Sequence, residues 1–209
     1  MKYQFKNKKQ NTMKKTITAI TLFLLIGMAA TSCKKESKII EEHPMQKITT
    51  EKSIVDSFHL FSNNNWEFGE KLYFSKNGKI TKLGCMMANQ GSFRVSLWDF
   101  TTKNLIAATT INVTDTTKYT YNSVSPIDVT ANTRYVLSIN NTSGGEQKLY
   151  YIARKRSNLS GNLFPFTSGS VTYEKHHETN SAISVFPLES LSGSYLSGFP
   201  DLQFEYSEE

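Results

Sequence analysis

Short alternating runs of apolar and polar residues dominate the chain from about Ile54 onward, and helical periodicity is nearly absent. In 92–100, Phe93, Val95 and Leu97 fall on one parity. Arg94, Ser96 and Trp98 fall on the other, which places the two sets on opposite faces of a strand. The same pattern predicts strands in 67–75, 78–87, 92–100, 104–113, 118–124, 133–140, 148–154, 168–177 and 200–206. Turn-rich clusters separate these runs, and strands at such spacing are typical of an all-β sandwich.

Two details refine this pattern. The Asn77–Gly78 pair separates the first two runs, and Asn-Gly favours a type I′ turn because both central positions need positive φ. We therefore expect a β-hairpin there. In the first run, Glu70 interrupts an otherwise apolar parity. The pattern predicts that residues 54–209 form one domain, a single antiparallel β-sandwich of jelly-roll or immunoglobulin-like type.

The N-terminus is typical of a secretory signal peptide, assigned to residues 1–32. It contains six lysines and no acid, and the apolar run 17–30 follows the last lysine. Fourteen helical residues are too short for a hydrocarbon core of roughly 30 Å. A basic start, a short apolar middle and a small-residue end are the features of a signal. Met13 also begins a complete signal, so the start is either Met1 or Met13.

The stretch from Ala30 to Cys33, "ATSC", resembles a bacterial lipobox, and the "SCKK" ending is similar to lipoprotein signals of Bacteroidetes. The resemblance implies that Cys33 becomes the mature N-terminus and is acylated on its thiol. It further implies a lipid-anchored protein of the bacterial cell envelope, because two or more acyl chains hold a protein firmly to a bilayer. The alternative is ordinary cleavage that leaves a free thiol.

Residues 33–53 are charged and lack a clear apolar period, so we expect the lipidated cysteine to be followed by a flexible tether. The alternative is a short helix folded back on the domain, which Pro44 disfavours in a helix interior.

The charge of the chain excludes one class of partner once the signal is removed. The whole sequence carries 24 Lys and Arg against 18 Asp and Glu, a net charge of +6, and the excess lies entirely in the predicted signal. We therefore expect no nucleic-acid partner, since domains that bind nucleic acids are usually basic.

Outside the signal, Cys85 is the only cysteine besides Cys33, and its apolar neighbours predict a small buried side chain.

The order of the runs over 58–206 resembles a bacterial β-sandwich domain of unknown function that occurs in secreted and surface proteins. The resemblance supports the fold and implies no activity. The phrases that carry it are Leu83-Gly84, Val95 to Asp99 with Leu105-Ile106-Ala107, Pro126 to Ser138, and Asp201 to Phe204.

Catalytic chemistry is not expected, because no nucleophile–base set, G-x-S-x-G or H-E-x-x-H motif occurs. No cofactor is expected either. The most concentrated group of ligand-type residues is "YEKHHET", 173–179. On a strand, Glu174, His176 and Glu178 would share a face and could hold a divalent cation. The alternative is a polar edge strand protected by charge.

Aromatic residues make up 12% of the chain and provide the stronger functional indication. Sandwich modules that bind sugars place flat aromatic rings against the apolar face of a pyranose, an analogy that points to Trp66, Trp98, Tyr150 and Tyr195. Two alternatives stay open: Trp98 is covered by the long 155–199 segment, and Trp66 packs the first strand against the core.

These observations predict a membrane-anchored envelope lipoprotein with a non-catalytic β-sandwich binding module whose ligand is a glycan. The alternative is a structural or adhesive envelope lipoprotein that acts through contacts with another envelope protein.

Overall fold

A computed structural model describes residues 37–61, 63–157, 159, 161–191 and 195–208 of the chain. The predicted signal peptide and Cys33 lie outside these residues. The described helix is α1 (Pro44–Glu51). The described strands are β1 (Lys38–Glu42), β2 (Val55–Phe61), β3 (Trp66–Phe74), β4 (Gly78–Cys85), β5 (Gly91–Asp99), β6 (Leu105–Val113), β7 (Thr120–Val129), β8 (Arg134–Asn140), β9 (Thr142–Ser143), β10 (Glu146–Gln147), β11 (Tyr150–Lys155), β12 (Phe166–Ser168), β13 (Val171–Asn180), β14 (Glu189–Leu191), β15 (Tyr195–Ser197) and β16 (Pro200–Glu208).

The strands form antiparallel sheets, which confirms the prediction of an all-β sandwich. The largest sheet has the order β12-β13-β3-β8-β5-β6, with β14 paired to β13. A second sheet has the order β1-β16-β4-β7, a third has the order β15-β11-β2, and β9 pairs with β10. Each of the nine segments predicted from alternation overlaps one of these strands.

The core lies between the facing sheets. On β3, Phe68, Leu72 and Phe74 are fully buried on one parity, as the alternation predicts. The ring centroid of Phe74 lies 4.4 Å from that of Phe204 on the second sheet. Fully burying such side chains stabilises a fold by roughly 1.5–3 kcal/mol each, so this contact helps to hold the two sheets together.

The predicted hairpin at Asn77–Gly78 is wrong. β3 and β4 follow one another closely, but β3 pairs with β8 and β13 while β4 pairs with β16 and β7. The turn therefore carries the chain from one sheet to the other. A Cβ on Gly78 would collide with the backbone carbonyl of Glu205, so glycine is needed there for close approach of β16 rather than for positive φ.

The predicted flexible tether is corrected over residues 38–51. β1 pairs with β16 from Lys38 opposite Glu208 to Glu42 opposite Phe204. α1 follows and buries Met45 and Ile48 in the core. Pro44 does not prevent this helix because it lies in the first turn, where its missing N–H costs nothing. Within the described residues, no helix has the length and apolar character to cross a membrane.

The N-terminus of α1 is held by an acid from the far end of the sequence. Asp201 is fully buried, and its two carboxylate oxygens accept the backbone N–H groups of Met45 at 3.0 Å and Gln46 at 2.9 Å. The Tyr121 hydroxyl donates to the same carboxylate at 2.7 Å. Burial raises the pKa of Asp201 to about 6, and these hydrogen bonds oppose the rise. Asp201 thus fastens the N-terminal segment to the sandwich.

Candidate functional site

Aromatic rings gather around Phe68 at the edge of the sandwich where β3 begins. The Phe68 ring centroid lies 4.5 Å from that of Tyr150 and 6.1 Å from that of Trp66. The imidazole of His176 also stacks with Phe68, and the ring of Tyr195 lies 6.0 Å from that of His176. Side chains from β3, β11, β13 and β15 therefore meet at one place.

Asn63, in the loop before β3, joins two of these rings. Its Oδ1 accepts the indole N–H of Trp66 at 2.9 Å and the hydroxyl of Tyr150 at 2.8 Å. Tyr150 is buried, whereas Trp66 and Tyr195 are only half-buried. The outer rings of the group therefore keep part of their surface open to solvent while the inner ring is fixed.

Two carboxylates flank the imidazole of His176 below these rings. Its Nδ1 lies 2.8 Å from Oε1 of Glu70, and its Nε2 lies 3.5 Å from Oε2 of Glu178. Burial lowers the pKa of His176, but the two carboxylates outweigh burial and raise it to about 9. Burial raises the pKa of Glu70, and His176 opposes that rise. The imidazole thus lies between two acids, and both of them favour its charged form.

We call this group the edge cluster. It contains three of the four predicted ligand-binding aromatics and two of the three predicted metal ligands. Its members are Asn63, Trp66, Phe68, Tyr150, His176, Glu178 and Tyr195.

The predicted metal site over Glu174, His176 and Glu178 is not formed. A bulge in β13 between Tyr173 and Lys175 interrupts the alternation, so Glu174 lies on the opposite face from His176. There Glu174 pairs with Lys71 at 3.0 Å and Arg134 at 2.9 Å. Among the described residues, no group of three or more His, Cys, Asp or Glu side chains is arranged to hold a metal ion.

Trp98 does not belong to the edge cluster either. It is 9% exposed and lies on the outer face of the largest sheet, where the ring of Phe186 meets it edge-on. Its indole N–H donates to the Ser138 hydroxyl at 2.8 Å. Trp98 is therefore covered by a residue of the 155–199 segment, as the alternative expectation stated.

A buried carboxyl, Glu67, lies beside Trp98 beneath the same segment. The hydroxyls of Ser138 and Ser184 donate to its Oε1, the second at 3.3 Å, and Oε2 is buried without a hydrogen-bond partner. Burial raises the pKa of Glu67 to about 7, and the hydrogen bond from Ser138 opposes the rise. This polar group is covered, in contrast to the half-open edge cluster.

Sequence reasoning missed the roles of Glu70 and Phe68. The sequence did indicate a special role for Glu70, because a charged residue among buried apolar positions of a strand requires a buried partner. That partner, His176, lies 106 residues away in sequence, and no local pattern identifies it.

Comparison with curated proteins finds no match to this chain. A family model described as "Domain of unknown function (DUF4082)" matches residues 55–194. The match covers most of the sandwich and every member of the edge cluster except Tyr195, which begins the next strand. The chain therefore belongs to the DUF4082 family of domains of unknown function.

Proposed function

We propose that this protein is a membrane-anchored envelope lipoprotein whose sandwich is a non-catalytic glycan-binding module, with the edge cluster as its binding site. The observation that carries the proposal is the convergence of half-buried Trp66 and Tyr195 with the carboxylate of Glu178 at one edge. Flat aromatic rings can pack against the C–H face of a sugar ring. A carboxylate or amide oxygen can accept hydrogen bonds from the hydroxyl groups of the sugar.

The edge cluster is also pre-organised for binding. Tyr150 and Trp66 share the Oδ1 of Asn63, and His176 is fixed between two acids. Rings that are already held in place lose little conformational entropy when a ligand binds, which favours affinity.

β1 begins at the end of the sandwich away from the edge cluster. Phe74, which contacts Phe204, ends β3 roughly 26 Å from Trp66, given about 3.3 Å per residue in a strand. Gly198 lies against Phe68, so the chain from Gly198 to Phe204 and on to Glu208 runs away from Trp66. Lys38, the first residue of β1, pairs with Glu208 at that far end.

Isothermal titration calorimetry tests the binding proposal with the chain from residue 34 to 209 and a panel of soluble polysaccharides. We expect at least one polysaccharide to bind, and Trp66→Ala to weaken that binding by about tenfold or more, as loss of an aromatic anchor does. Tyr73→Ala is the matched control, because Tyr73 lies at the other end of the same strand and also carries a half-buried ring. A panel without a binder would refute the proposal, and capture of one stoichiometric envelope protein would support the adhesive alternative.

The anchor has a separate test. The full chain, expressed in a bacterium with lipoprotein maturation, is extracted with detergent and its intact mass measured. We expect Cys33 as the first residue, carrying acyl chains, and a Cys33→Ala variant that leaves the membrane fraction. An unmodified Cys33 thiol would refute the anchor and leave the binding proposal untouched.

A further inference from the structure

The carboxylate of Glu178 is the least compensated charge in the edge cluster. Its side chain is 16% exposed, and its closest polar contact is the His176 Nε2 at 3.5 Å, which is longer than a normal hydrogen bond. Within the described residues, no lysine or arginine forms an ion pair with Glu178. Most of its hydrogen-bonding capacity is therefore unused.

His176 does not neutralise Glu178, because Glu70 already balances it. Glu70 and His176 are both fully buried and lie 2.8 Å apart. With one proton between them the pair is neutral, whether the proton is on the imidazole or on the carboxyl. The sum over the three groups is then one negative charge, and it lies at Glu178, the member that reaches solvent.

Another acid on the same strand shows the contrast. Glu174 lies on the opposite face and is paired with both Lys71 and Arg134. On β13, the carboxylate of Glu174 is therefore paired with basic side chains, whereas the carboxylate of Glu178 has no lysine or arginine partner in the described part of the chain. Arg154 lies cross-strand from Tyr195, but it is exposed and makes no ion pair with Glu178 in the described part of the chain.

The rings around Glu178 are suited to a positive charge. Trp66 lies two residues before Phe68, the cross-strand partner of Glu178, and burial together with the nearby charge of Glu178 raises the pKa of Tyr195. Aromatic rings attract ammonium groups most strongly where water is partly excluded. A carboxylate with aromatic neighbours offers a cation both an ion pair and ring contacts. From this geometry we infer that the glycan bound at the edge cluster carries a protonated amine, so that the module selects amino sugars over neutral and acidic ones.

This inference rests on the proposed glycan-binding function, and calorimetry can separate the two. The probes are β-1,4-linked hexamers of glucosamine, of N-acetylglucosamine and of glucose, at a pH of about 6 and low salt, with polygalacturonate as the acidic probe. We expect the glucosamine hexamer to bind at least about tenfold more tightly than the two neutral hexamers, and added salt to reduce that difference.

Variants at Glu178 test the cause of the preference. Glu178→Gln keeps the shape of the side chain and is expected to bring the glucosamine hexamer down to the affinity of the neutral ones. Glu178→Asp keeps the charge and is expected to retain part of the preference. Glu174→Gln, on the same strand but outside the edge cluster, is the matched control and is expected to leave the preference unchanged. Circular dichroism of each variant verifies the fold.

Two outcomes overturn the inference. If the neutral hexamers bind as tightly as glucosamine and Trp66→Ala abolishes that binding, the site is a glycan site and the amine is not recognised. If the preference for glucosamine persists in Glu178→Gln, another group provides it. Absence of binding by every saccharide would instead refute the proposed function itself.

Discussion

Replacing Glu67 with glutamine is expected to stabilise the protein at neutral and alkaline pH and to have little effect in acid. Glu67 is fully buried beside Trp98, and its Oε2 lacks a partner. Burial raises its pKa from an ordinary 4.5 to about 7. The folded protein therefore holds a proton on Glu67 over a range of pH in which the unfolded chain has lost it.

The sign and size of the effect follow from this difference. An acid whose pKa is higher in the folded state makes the wild type lose stability as pH rises from about 4.5 to about 7, after which the penalty is constant. Each pKa unit corresponds to about 1.4 kcal/mol, so the total is roughly 3 kcal/mol. The side chain introduced by Glu67→Gln does not titrate, and its amide resembles the protonated carboxyl in shape.

The assay is urea denaturation followed by tryptophan fluorescence at several pH values from about 4 to 8.5. The quantity to plot is the free energy of unfolding of Glu67→Gln minus that of wild type, since groups such as Asp201 and His176 titrate in both proteins and cancel. We expect this difference to be small at pH 4 and to rise to roughly 3 kcal/mol by pH 8. Glu51→Gln, an exposed substitution at the end of α1, is the control variant. A flat or falling difference for Glu67→Gln would refute the reasoning.

Four further outcomes are expected. A chain that begins at residue 54 should melt at least about 5 °C below one that begins at residue 34, because the shorter chain lacks the buried side chains of Met45 and Ile48. Equal melting temperatures in calorimetry would contradict the stabilising role of α1. Asp201→Ala should cost about 3 kcal/mol in urea denaturation, since it leaves the buried N–H of Met45 and the part-buried N–H of Gln46 without a partner, and Asp201→Asn should cost less. Gly78→Ala should cost roughly 1–3 kcal/mol in the same assay, because its methyl group meets the Glu205 carbonyl; an unchanged free energy of unfolding would contradict that close approach. The Cys85 thiol, whose pKa is raised by burial, should react with a disulfide reagent only in denaturant; rapid labelling of the folded protein would contradict its burial.

Alternation alone was sufficient to locate most of the strands. A strand with one buried face must alternate apolar and polar side chains, and this requirement is local, so it can be read from a few consecutive residues. It failed where strands are short or carry no alternation, as in β1 and β14. It also could not assign partners, which is why the turn at Gly78 was predicted as a hairpin although it connects two sheets.

The segment before the sandwich shows a second limit. Lys38–Glu51 has a charged composition that is typical of a linker, yet it forms β1 and α1. Both elements depend on distant partners: β1 on the edge of β16, and α1 on the carboxylate of Asp201, 156 residues from Met45. Such stabilisation leaves no trace in the local pattern.

The candidate site was predicted in its residue types and not in its arrangement. The sequence by itself determined that this chain is an all-strand domain rich in aromatics, because burial imposes a period that neighbouring residues must obey. The tertiary structure alone decided that Trp66, Tyr150, Tyr195 and Glu178 meet, that Trp98 is covered and that Glu174 turns away from His176. Strand pairing and one bulge set these positions, and both depend on contacts between residues far apart in the chain.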